Sequence, residues 1–229
     1  MSRGAFITFE GSEGCGKSTQ VLRLAARLEQ AGARVLITRE PGGTAIGEKI
    51  RDLLQFAPES FAMTPETELL LFEASRSQLV RETIRPALEQ GTAVISDRFF
   101  DSTTVYQGVA RKLDPEMVAT LNNFAVGPDR PDLTIILDVD VATARARMLR
   151  RVRPVGVVDR MEQEPIEFYE QVCEAYRALA RLEPARFRLI DGAQSPDEIE
   201  SKIWEAVSHS FPIFAVPSES KIENRKSKL

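Results

Sequence analysis

Histidine is nearly missing from this chain of 229 residues: His209, close to the C-terminal end, stands alone. A Ser-His pair or a His-rich zinc site cannot be built from it, so hydrolytic triads and zinc chemistry drop out. Cysteine is almost as scarce. Cys15 lies in a glycine-rich loop and Cys173 in a helical pattern, too few for a disulfide scaffold, which predicts a reducing compartment. No apolar run approaches the roughly 18 residues of a membrane span, and the first strand pattern starts within a few residues of Met1, so a cytoplasmic protein with no membrane partner is expected. An excess of basic residues is lacking too. The 30 Lys and Arg against 34 Asp and Glu leave a net charge of −4, which argues against a sequence-independent hold on nucleic acid and for nucleotides instead. No Asn is followed by Lys and no Asp has Gly three residues on, so the base-reading and switch motifs of a GTPase are absent. Motor and transport ATPases need more chain than this.

What is present is concentrated near the start. Ala5 to Glu10 reads as a buried strand and runs into Gly11-Ser12-Glu13-Gly14-Cys15-Gly16-Lys17-Ser18-Thr19, followed by a helical pattern. This is a Walker A phosphate loop in the context it requires. Its glycines let the backbone fold into a nest of N–H donors, and the helix that follows adds the positive end of its dipole. Lys17 is expected to reach the β- and γ-phosphates of ATP, and Ser18 a Mg²⁺ ion.

The rest alternates strand and helix patterns, which predicts an α/β fold: a five-stranded parallel sheet with helices on both faces. With 43% hydrophobic and 28% charged residues, one well-cored domain is expected over residues 1–210. Strands are predicted at 34–38, 92–96, 133–137 and 187–190, and a long helix from Pro65 to about Gln90. Val21, Leu22, Leu24, Ala25 and Leu28 form the predicted apolar face of the first helix. Pro212, Pro217 and a Ser/Glu/Lys-rich finish predict a disordered tail over 211–229.

A phosphate loop alone leaves a small kinase or a nucleotide-binding sensor open. Further segments choose between them: Thr38-Arg39-Glu40-Pro41-Gly42-Gly43-Thr44, Leu71-Phe72-Glu73-Ala74-Ser75-Arg76, Asp97-Arg98 with Ser102-Thr103 and Tyr106-Gln107-Gly108, and Asp159-Arg160-Met161-Glu162-Gln163-Glu164. With these and the Glu10–Thr19 loop, residues 5–208 resemble the thymidylate kinases, the dTMP-phosphorylating nucleoside monophosphate kinases. The resemblance implies the P-loop kinase fold, ATP and dTMP as substrates and a homodimer packed through helices, for which the apolar run Leu69–Phe72 offers material.

The residues also make chemical sense singly. A carboxylate at a strand end, Asp97, can hold Mg²⁺ or orient the nucleophile, and the adjacent Arg98 can grip a phosphate bidentately. The resemblance assigns Arg98 to the acceptor's phosphate and Asp97 to the catalytic centre. Asp138 and Asp140 precede a helix and read as caps. Phe72 and Arg76, four apart on one helix face, can stack on a pyrimidine and donate to its O4, the work the resemblance gives them. By the same resemblance Thr103 reads the base's N3 edge, Tyr106 crowds a ribose 2′-OH, Ser102 and Gln107 belong to the substrate segment, Arg39 faces the acceptor's sugar and phosphate, and Glu13 faces the 3′-OH or the metal. Some relatives carry an arginine inside the phosphate loop; this chain has none between Gly11 and Lys17. The basic stretch Arg145, Arg147, Arg150, Arg151 and Arg153 to Arg160 is therefore expected to supply that charge, with a mobile lid over about 150–160. Arg147 is placed on the adenine side, Arg151 on the transferring phosphate and Arg153 as its alternative.

Overall fold

The computed structural model describes residues 3–150 and 160–214. The lid expected near 150–160, with Arg151 and Arg153, lies almost wholly outside the described residues, and so does the chain after Phe214. Within them, five strands form one parallel sheet in the order β2-β3-β1-β4-β5: β1 Phe6–Glu10, β2 Val35–Arg39, β3 Ala93–Asp97, β4 Leu133–Asp138 and β5 Phe187–Asp191. The three central strands, β3, β1 and β4, are buried almost throughout because both their faces are covered, whereas the edge strands β2 and β5 are partly exposed. Register brings Arg39 level with Asp97, and Phe9 level with Asp97, so their carboxyl ends share one edge. Order reverses beside β1, which opens a crevice at that edge where ligands of such sheets bind.

One face carries α1 Lys17–Gln30 and α9 Pro196–Ser210, packed through Val21, Leu24, Leu28, Ile199, Ile203 and Val207. Leu22 departs from the expected apolar face; it is 63% exposed. The other face carries α3 Pro65–Leu79, α4 Arg85–Glu89 and α8 Ile166–Leu182. Helices α2 Ala45–Gln55 and α6 Pro115–Val126 flank α3 on either side. The predicted helix from Pro65 to Gln90 is interrupted by a π-turn at Val80–Ile84. Pro86 gives the reason: it has no N–H for a carbonyl four residues back, and its ring needs room there. A second π-turn, Thr104–Ala110, continues the one-turn helix α5 Phe100–Thr103. Helix α7, Val141–Leu149, starts at Asp140, whose side chain accepts the Thr143 N–H at 2.8 Å. Asp138 is not a cap; its carboxylate takes Arg177 Nε at 2.9 Å. Order also persists beyond the expected start of the tail, since Phe211 and Phe214 pack ring to ring at 5.8 Å across the turn Pro212–Phe214.

Candidate active site

The phosphate loop leaves β1 at Glu10 and enters α1 at Lys17. At two of its glycines a side chain has no room. A Cβ on Gly11 would lie 2.5 Å from the Leu137 carbonyl oxygen and one on Gly14 would lie 2.4 Å from that of Ala144, both at positive φ. The loop is thereby wedged between β4 and α7, and its turns need the left-handed backbone that glycine adopts freely. Lys17 is buried, its Nζ donating to the carbonyls of Gly11 at 3.1 Å and Ser12 at 2.9 Å, with Cys15 Sγ at 3.6 Å. Ser18 and Thr19 face solvent at the helix start. Across the crevice, the Ser18 hydroxyl donates to Asp97 Oδ2 at 2.7 Å.

A second cleft begins at Arg98. This residue holds a left-handed φ of 71°, uncommon for a side chain of its kind and a mark of local constraint. Its Nη2 reaches Glu13 Oε1 at 2.6 Å, its Nη1 meets Ser102 Oγ at 3.0 Å, and its guanidinium lies 5.1 Å from the centre of the Tyr106 ring. Burial pushes the Glu13 carboxyl up, but the opposing pull of Arg98 and then Lys17 prevails and holds it below its ordinary range. Tyr106 donates to Glu13 Oε2 at 2.7 Å, and burial keeps its phenol protonated well above its usual titration. The cleft is completed by Pro41, Gln55, Phe72, Thr103, Gln107 and Met161.

Most of the residues singled out in sequence therefore meet in two adjoining cavities, but three do not. Arg76 lies behind the cleft wall, 1% exposed. Its Nε donates to Glu40 Oε2 at 2.8 Å, Nη1 to Glu73 at 2.6 Å and Asn122 at 3.1 Å, and Nη2 to Thr103 Oγ1 at 2.9 Å, while Nη2 also lies 2.7 Å from Glu40 Oε2 in an ion pair. All three nitrogens of its guanidinium donate to protein, so it stands as the support of Thr103. Arg39 points away, its half-exposed guanidinium paired with Glu48 at 2.8 Å. Arg147 donates to the Gly192 carbonyl at 2.8 Å, next to the loop after β5 and close behind Cys15, and does not line the acceptor cleft.

Arg145, part of the basic stretch, lines a cavity with Ser12 and Glu13 beside the phosphate loop. Glu68 and Arg111 belong to none of the segments singled out in sequence. Glu68, 1% exposed, gathers Gln107 at 2.7 Å, Arg111 at 3.3 Å and Arg160. Glu164 pairs with Arg111. The segment around Arg160 and Glu164 is thus a structural clamp that sets Gln107 and Met161 in the cleft wall. Only the pairing of acidic and basic residues within recognised segments could have hinted at this.

The hard oxygens of Ser18 and Asp97 suit Mg²⁺. Among the described residues no group of three His, Cys, Asp or Glu converges on a point, and an ion held by this pair takes its remaining ligands from phosphate oxygens and water, as Mg²⁺ commonly does.

Comparison with known proteins gives a consistent result. The family model described as thymidylate kinase matches residues 9–203. The thymidylate kinase of Geobacter sulfurreducens is 48% identical over 211 residues, covering 91% of this chain and 99% of that protein. That of Deinococcus radiodurans is 44% identical over 208 residues, covering 91% and 98%. A crystal structure of thymidylate kinase from Ehrlichia chaffeensis superposes with a TM-score of 0.73 at 32% identity, covering 90% of this chain and 99% of that one.

Proposed function

The chain belongs to the thymidylate kinase family, and from that premise we propose how its residues carry a phosphoryl group from ATP to dTMP. The reaction is a direct in-line transfer yielding dTDP for dTTP synthesis, with no covalent enzyme intermediate, so binding, orientation and charge neutralisation carry the catalysis.

The phosphate loop, Gly11 to Thr19, cradles the β- and γ-phosphates, and Lys17 leaves its loop carbonyls for phosphate oxygens. Arg147 flanks the adenine. Ser18 and Asp97 would hold Mg²⁺, which would supply positive charge to offset that of the phosphates. Arg98 grips the acceptor's phosphate, with Ser102 fixing its guanidinium. Phe72 stacks on the thymine while Thr103 reads its edge and Gln107 closes the wall; Arg76 supports Thr103 from behind. Tyr106 and Glu13 face the deoxyribose. Arg39 must leave Glu48, with which its guanidinium is paired, to face the acceptor's sugar and phosphate. Arg151 or Arg153, together with Arg145 beside the loop, supplies charge to the transferring phosphate.

The observation that carries this reading is the 2.6 Å contact between Glu13 of the phosphate loop and Arg98 of the acceptor cleft. It supports the reading because a donor phosphate on the loop and an acceptor phosphate on Arg98 would then lie side by side, as in-line transfer requires. A coupled ADP-release assay ranking dTMP, dUMP, dCMP and AMP by kcat/KM tests it. The expected order has dTMP first; a dominant AMP activity, or no turnover with any of the four, overturns the assignment.

Two further properties belong to the same reading. The protein works as a homodimer, and it acts in the cytoplasm, where the free thiols of Cys15 and Cys173 are at home. No described helix is long and apolar enough to cross a membrane.

A further inference from the structure

Glu10 is the last residue of β1, fully buried, and has no part in the chemistry described so far. A buried carboxylate at a strand end next to a phosphate loop is expensive unless its oxygens are used. All its partners here belong to the Arg98 neighbourhood. Oε1 accepts the Phe99 N–H at 2.8 Å, and Oε2 accepts the Ser102 hydroxyl at 2.6 Å and the Tyr176 hydroxyl at 2.8 Å.

These three bonds converge on one residue. The peptide between Arg98 and Phe99 is pinned at both ends: its carbonyl takes the Ser96 hydroxyl at 2.7 Å, and its N–H goes to Glu10. That fixes the left-handed backbone of Arg98, a conformation that persists only where the surroundings impose it. The two hydroxyls held by Glu10 offer their lone pairs to Arg98 Nη1, at 3.0 Å from Ser102 and 3.4 Å from Tyr176. Backbone and guanidinium are thus set by the same carboxylate.

We propose that Glu10 is a positioning residue that acts through Ser102 and Tyr176 to aim Arg98 at the acceptor's phosphate. Burial followed by the nearby Asp101 raises the Glu10 carboxyl, while Arg98 and the two hydroxyls favour its charged form. The inference rests on the assignment of Arg98 to that phosphate. Arg98→Ala, run in parallel, tests the assignment separately: unchanged dTMP affinity in that variant refutes the role of Arg98 itself, whatever Glu10 does.

The test is a double-mutant cycle on Glu10→Gln and Tyr176→Phe, read by calorimetric binding of dTMP and, separately, of the ATP analogue AMPPNP, with thermal melting as a check on folding. Glutamine keeps an acceptor for Phe99 but cannot accept both hydroxyls, so each single variant is expected to weaken dTMP roughly tenfold, the scale of a lost hydrogen bond to a charged group. The double variant is expected to match the weaker single rather than the product of both, with AMPPNP binding unchanged. Independent effects, equal loss of both ligands, or unaltered dTMP affinity in folded Glu10→Gln overturns the proposal. Should Glu10→Gln not fold, the cycle is run on Ser102→Ala and Tyr176→Phe, where the same lack of additivity is required.

Discussion

Single side chains in this protein are set by the balance of burial against partner charge, and Glu40 shows it most plainly. It and Glu73 share one buried cation, Arg76, and one oxygen of each, Glu40 Oε1 and Glu73 Oε2, is buried without a hydrogen-bond partner. Burial, opposed by Arg76 and reinforced by Glu73 and Glu10, raises the Glu40 carboxyl to about 7. A carboxyl titrating near 4.5 when unfolded and near 7 when folded binds its proton more tightly in the native state. Its contribution to stability is therefore complete below 4.5 and lost as pH rises toward 7, by up to about 3 kcal/mol. Glu40→Gln is expected to flatten this part of the pH dependence, measured as melting temperature from pH 5 to 8; identical slopes in the two proteins would count against it. The charge missing from the phosphate loop is a residue-scale question too. Arg151→Ala is expected to lower kcat by roughly 10³-fold with KM for dTMP nearly unchanged, the behaviour of an arginine finger. Near-normal kcat in both Arg151→Ala and Arg153→Ala would transfer that work to Arg145 or Arg98.

At the scale of elements, the phosphate loop is held by close backbone contact as much as by its own turns. Gly14 and Gly16 separate the two effects: both have positive φ, but a Cβ on Gly14 runs into the Ala144 carbonyl, whereas one on Gly16 meets nothing within 4 Å. Gly14→Ala must therefore push the loop and α7 apart besides straining the backbone. We expect it to cost about 2 kcal/mol or more, roughly 4–8 °C in melting temperature, with Gly16→Ala clearly milder. Thermal unfolding of the two variants decides; equal losses would mean that strain alone is at work. The π-turn over Thr104–Ala110 is a second local device, since Tyr106 and Gln107 both lie on it and both line the cleft. Such turns recur at functional sites.

The whole molecule presents a helical layer in which α3 lies between α2 and α6, and its outer surface carries exposed apolar side chains: Leu53, Leu70, Met117 and Phe124, the last 74% exposed. Met117 and Phe124, seven apart, share one side of α6. Of the run Leu69–Phe72 expected to serve the dimer, Leu69 is buried in the monomer and Phe72 lines the cleft, which leaves exposed Leu70 and half-buried Leu71 for a partner. Scattered apolar residues need no explanation, but a patch across three adjacent helices does. Light scattering at micromolar concentration is expected to give twice 25.5 kDa, and Phe124→Glu to shift it toward the monomer. A wild-type mass of 25.5 kDa would rule out a stable dimer.

Local chemistry in the sequence determined much of this protein. Strand number and the phosphate loop follow from spacing and residue type, because a glycine-rich turn, a lysine and a hydroxyl can be read within nine consecutive residues. The cleft was legible only as a set of segments. Resemblance places Arg76 and Arg39 on a substrate, and the carboxylates that meet their guanidiniums, Glu40 and Glu73 for one and Glu48 for the other, emerge only in the tertiary structure. Charge pairing across 36 positions has no period to read. The same holds for Glu10, whose partners Phe99, Ser102 and Tyr176 come from two other elements. A helix or strand announces itself by repetition along the chain, whereas the partners of a buried charge are chosen by which elements the sheet order brings together.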